Sequence, residues 1–71
     1  MYKKVDTTLN FLEMEKEVLK LIVEGFSNNE IAKEIVVSPN TAKAHVGNIL
    51  NKLAVTDRVQ AAVKAIKYDL Y

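Results

Sequence analysis

Ser27-Asn28-Asn29-Glu30-Ile31-Ala32-Lys33-Glu34-Ile35-Val36-Val37-Ser38-Pro39-Asn40-Thr41-Ala42-Lys43-Ala44-His45-Val46 holds two helix starts on either side of a tight turn. Ser27 and Glu30 form a capping box: the serine oxygen accepts from an early helical N–H and the glutamate reaches back to the cap. The helix they open runs to about Val36, with Ile31, Ala32 and Ile35 toward the core. A turn through Val36 and Val37 follows. Ser38 is the next N-cap, and Pro39 takes the first helical position, where its missing N–H costs nothing. From there to about Leu53, the residues Ala42, Val46, Ile49, Leu50 and Leu53 lie on one stripe. A short capped helix, a tight turn and a longer capped helix make a helix-turn-helix.

The flanks supply two more helices. Upstream, Phe11, Met14, Val18, Leu19, Leu21 and Ile22 share one face of a helix from about Phe11 to Glu24. Asn10 with Glu13 would cap it, Leu9 with Met14 would staple it, and Gly25 fits a left-handed exit. Downstream, either Thr56 or Asp57 caps a fourth helix, Asp57 having Gln60 as its third-residue partner. Val59, Ala62, Val63 and Ile66 follow at i, i+3, i+4, i+7. Tyr68-Asp69-Leu70-Tyr71 reads as a frayed end. Residues 1–8 lack periodicity and read as a flexible tail or the end of a linker, leaving 9–71 as one domain. The fold class is all-α, a compact four-helix domain.

Composition narrows the function. With no cysteine in 71 residues, a disulfide scaffold and a thiolate zinc site are excluded. No uncharged stretch is long and apolar enough to span a membrane, and no charged-then-apolar leader opens the chain, so a cytoplasmic protein is expected. So small a core supports an active site poorly. His45, the single histidine, has no acid within three helical turns in sequence, and it reads as structural or phosphate-adjacent. No catalytic dyad, metal set or phosphate loop is present. The expectation is a non-enzyme with no metal and no cofactor. Charge is uneven: residues 1–34 carry a net −2 and residues 35–71 a net +3, with no acid from Ile35 to Thr56. A basic half suits a polyanion, although it also suits a solvated surface.

Opposite its core stripe, the third helix presents Asn40, Ala44, Gly47, Asn48 and Asn51, with Lys43 at one edge and His45 and Lys52 at the other. Amides and basic groups read base edges in a major groove, and small residues permit close approach. Composition alone fits an ordinary polar face equally well. The helix-turn-helix context tips the balance toward double-stranded DNA, with Asn40, Lys43, Ala44, Gly47 and Asn48 toward bases and Lys52 toward phosphate.

Five stretches carry a family resemblance: Glu15-Lys16-Glu17-Val18-Leu19, Gly25-Phe26-Ser27-Asn28-Asn29-Glu30-Ile31-Ala32, Val37-Ser38-Pro39-Asn40-Thr41-Ala42-Lys43-Ala44-His45-Val46, Asn48-Ile49-Leu50-Asn51-Lys52-Leu53 and Arg58-Val59-Gln60-Ala61. In register they resemble the LuxR/GerE/NarL-type DNA-binding domain, which ends many bacterial response regulators. The resemblance implies a transcription regulator that binds as a dimer. It places Lys43, Ala44 and Gly47 against bases and the surroundings of Ser27, Asn28, Ser38 and Thr41 against phosphates. It makes the fourth helix, with Val59, Val63 and Ile66, the dimer contact, although those residues also suit the core. It pairs Glu15 with Arg58, and it brings RNA polymerase and an upstream receiver domain as further partners. The chain departs from the pattern at Leu12 (usually Thr), Met14 (usually Arg), Ala42 (usually Val), Gly47 (often Lys or another polar residue) and Ala54 (usually Gly). The competing reading is a helical protein-interaction module of the sigma-factor region-four type.

Overall fold

Residues 11–71 are described in the computed structural model of the chain. They form α1 (Glu13–Val23), α2 (Asn28–Ile35), α3 (Pro39–Leu53) and α4 (Arg58–Tyr68), with no strand among the described residues. The expected capping role of Asn10, the staple role of Leu9 and the tail at 1–8 lie outside the described residues. α1 packs on α4, α2 packs on α3, and α3 joins the two pairs by touching both α1 and α4. Among the described residues, Leu19, Ile31, Ile49, Leu53 and Val18 are the largest fully buried side chains, and no buried side chain is polar or charged.

All four helices close in the same way. The N–H of Phe26 donates to the Leu21 carbonyl, Val37 to Ala32, Val55 to Leu50 and Leu70 to Ala65, at 2.9 to 3.1 Å. Each is the long bond of a Schellman closure, and each delivers an apolar residue that packs against the core. Such a closure needs one left-handed residue. Gly25 supplies it after α1 at φ +89°, where glycine is unpenalised. Val36, Ala54 and Asp69 supply it after the other three, at φ 59°, 58° and 55°. A side chain there costs about 1–2 kcal/mol, so the closures after α2 and α3 are held against local strain.

Three sequence expectations are corrected. α1 begins at Glu13 and not at Phe11; its N-cap is Leu12, which has no side-chain acceptor, so only the return half of a capping box forms, from Leu12 N–H to Glu15 Oε1 at 3.0 Å. Met14, expected on the core face, is exposed, whereas Phe11 is buried ahead of the helix. On α4, where the sequence leaves core and surface both open for Val59, Val63 and Ile66, Ala61 and Ala65 enter the core and those three stay 70%, 60% and 60% exposed, a choice made and not an expectation corrected. The apolar period was real, but two alanines allow the closer approach to α1. Finally, the expected frayed end is ordered: α4 continues through Tyr68, and Leu70 closes it against the core.

Candidate nucleic-acid interface

α3 starts and stops where its sequence signals stand. Ser38 Oγ accepts from the Thr41 N–H at 3.1 Å and donates to Thr41 Oγ1 at 3.0 Å, so these two side chains fix the start of the helix. With Ala42, Val46, Ile49 and Leu53 buried, the opposite face exposes Asn40, Lys43, Ala44, Asn48 and Asn51. His45 and Gly47 are half-buried. A Cβ added at Gly47 would meet nothing within 4 Å, so no packing inside the domain demands a glycine there. The fold therefore brings all five expected base-facing residues onto one helix in an acid-free stretch.

The expected phosphate group is more divided. At the start of α2, Ser27 Oγ accepts from the Glu30 N–H at 3.2 Å, and Glu30 Oε1 accepts from the Ser27 N–H at 2.8 Å, completing the capping box read from sequence. Asn28 is half-buried, and its Oδ1 accepts from Arg58. Lys52 is held elsewhere: its Nζ lies 2.7 Å from Glu15 Oε1 and 5.2 Å from the centre of the Phe11 ring. The Lys52 ammonium is the main reason the Glu15 carboxyl sits below its ordinary pKa; burial opposes the shift, and the Leu12 N–H adds to it.

The expected Glu15–Arg58 pair is accordingly corrected. Lys52 takes the carboxylate, and Arg58 instead donates to the Phe26 carbonyl at 2.8 Å and to Asn28. Sequence reasoning missed all three contacts because they join residues 37, 32 and 30 positions apart, and no local spacing encodes such partners. It also missed Lys64, whose Nζ donates to the last α3 carbonyl, Leu53, at 2.7 Å. A cation there satisfies an orphan acceptor at the negative end of the helix. The same lysine walls an open cleft of about 340 Å³ lined by Val55, Val59, Val63 and Tyr68. No three described His, Asp or Glu side chains converge as metal ligands.

An amide-rich α3 capped by Ser38-Pro39, packed on a short capped α2 and a closing α4, coincides with a known family: bacterial regulatory proteins, luxR family, matches residues 12–65. The chain belongs to the luxR family. Membership places it among bacterial regulatory proteins, in a DNA-binding and non-enzymatic domain family. The relatives include an uncharacterized transcriptional regulatory protein, YhcZ of Bacillus subtilis, 54% identical over 56 residues, covering 79% of this chain and 26% of that protein. The response regulator protein VraR of Staphylococcus aureus strain Mu3 is 43% identical over 70 residues, 99% of this chain and 34% of VraR. VraR of Staphylococcus epidermidis matches to the same extent. This luxR-family chain thus spans about a quarter to about a third of the length of these relatives. No described helix is long and apolar enough to cross a membrane.

Proposed function

We propose that this luxR-family domain binds double-stranded DNA in a sequence-specific manner to regulate transcription, with α3 in the major groove. The observation that carries this reading is the outer face of α3: exposed amides at Asn40, Asn48 and Asn51, a lysine at Lys43, small residues at Ala44 and Gly47, and no acid. In this reading Asn40, Lys43, Ala44, Gly47 and Asn48 face base edges. Ser27, Asn28, Ser38 and Thr41 face phosphates, the two serines mainly through the backbone N–H groups of the helix starts they cap. Lys52 reaches phosphate only by leaving Glu15.

One domain covers a single half-site of about five base pairs, too small a contact for tight binding. Two copies on adjacent half-sites, paired through Val59, Val63 and Ile66 of α4, add their contacts and fix register. The exposure of those three apolar residues supports this arrangement. The relatives' names and greater lengths support a role as part of a longer response regulator; a receiver domain ahead of this one and a contact with RNA polymerase are parts of the proposal.

The test is affinity against salt concentration. Each monomer should neutralise about three to five phosphates, giving a log–log slope near −3 to −5 per monomer. An affinity that does not change between low and physiological salt overturns the reading.

A further inference from the structure

Arg58 and Asn28 meet in a contact with a chemical polarity. A guanidinium has five N–H donors and no acceptor, so only the oxygen of the Asn28 amide can face it. Arg58 is itself held in place. It is half-buried at the first turn of α4, and its Nη1 donates to the Phe26 carbonyl at 2.8 Å. Its fork therefore grips two acceptors on either side of the α2 N-cap, the Phe26 carbonyl before it and Asn28 Oδ1 at the first helical position. The other end of the amide, Nδ2, has no hydrogen-bond partner among the described residues, and it is not sealed from solvent.

We infer that Arg58 is a positioning residue of the DNA interface: it locks the Asn28 amide with its oxygen on the guanidinium, so that Asn28 offers a phosphate only its NH2 group. The inference rests on the reading above that Asn28 meets the DNA backbone. An unlocked amide samples both orientations before binding, and only the one with its NH2 outward can donate to a phosphate. The lock removes the other one before binding, which is preorganisation in its plainest form. It also explains why Arg58 leaves Glu15 to Lys52: the arginine is committed to the start of α2.

The experiment compares wild type, Asn28→Asp and Asn29→Asp on one two-half-site duplex, with thermal melting of each. Aspartate at 28 keeps the shape and still gives Arg58 an oxygen, but it turns a carboxylate oxygen toward the phosphate. Aspartate at 29 adds the same charge one residue on, at an exposed position of the same first turn, where the helix favours it equally. We expect Asn28→Asp to bind about tenfold more weakly than Asn29→Asp, with a melting temperature no lower than wild type. Replacing backbone phosphates one at a time by neutral methylphosphonates should find one position at which the two variants bind alike. In an Arg58→Lys background, which keeps the charge and loses the fork, the extra cost of Asn28→Asp should shrink. Equal losses in the two aspartate variants, while wild type binds with a steep salt dependence, overturn the inference alone. A lower melting temperature for Asn28→Asp also overturns it, because Arg58 would then not be holding that oxygen. Wild-type binding that ignores salt removes the DNA reading and this inference together.

Discussion

α3 and α4 present opposite outer faces. Both bury an inner stripe in the same core: Ala42, Val46, Ile49 and Leu53 on α3, Ala61 and Ala65 on α4. Outward, α3 shows amides, a lysine and small residues, whereas α4 shows Val59, Val63 and Ile66. Water serves the first face well and the second poorly. Two adjacent helices of one small domain thus differ in the kind of partner they favour: a hydrated polyanion for α3, another apolar surface for α4. Lys64 joins them, reaching from the wall of the α4 cleft to the last carbonyl of α3.

The sharpest way to break this contrast is to place a charge on each side of α4. Ala65→Glu buries an unpaired carboxylate and should cost about 3 kcal/mol or more, enough to unfold so small a domain, as circular dichroism will show. Val63→Glu should stay folded, keep weak binding to one half-site and lose cooperativity on two. Loss of fold in Val63→Glu would put that residue in the core; cooperativity surviving in a folded variant would put the seam elsewhere. On α3, Lys43→Ala should weaken specific binding by about 1–3 kcal/mol with an unchanged helical signal. An equal loss on random DNA would make Lys43 a phosphate contact.

Smaller effects sharpen the comparison at the helix ends and along α3. Ala54→Gly should raise stability by several tenths to about 1 kcal/mol in chemical denaturation, because position 54 is left-handed. Gly47→Ala should add about 0.5–1 kcal/mol of stability and yet weaken DNA binding, since open space surrounds that position only until a partner arrives. The smallest effect concerns Glu15. Its carboxyl is held low by Lys52, so the stabilisation is present at neutral pH and fades as pH falls through the lowered pKa. Glu15→Gln should cost about 0.3–1 kcal/mol at pH 7 and nothing at pH 2, as melting at the two pH values will show.

The contrast between the two helices was half legible in the sequence. α3 could be bounded at Pro39 and Leu53 because its cap and first-turn proline are local signals. Ser27 with Glu30 was legible for the same reason, and of the two caps the sequence left open for α4, Asp57 is the one that accepts from the Gln60 N–H. The burial of α4 was not legible. Val59, Val63 and Ile66 advertise an apolar face, but burial is decided by what a neighbour can approach, and Ala61 and Ala65 let α1 come nearer. The ordered Leu70 closure was hidden because Asp69 carries a left-handed conformation that glycine usually signals. The partners of Glu15, Arg58 and Lys64 depend on how helices cross, which a one-dimensional pattern does not contain.

The wholly apolar interior has a consequence for how such a domain changes over generations. No buried side chain among the described residues has a polar bond to keep, so one hydrocarbon can replace another of similar volume at modest cost. On the far side of α3, Asn40, Lys43, Ala44 and Asn48 are exposed and lie outside the core. Mutations in these two sets share no partners and should add independently. If the proposed role of α3 holds, selection can rewrite the target sequence without endangering the scaffold, and a lineage can duplicate this module and retarget a copy one residue at a time, every intermediate still folded.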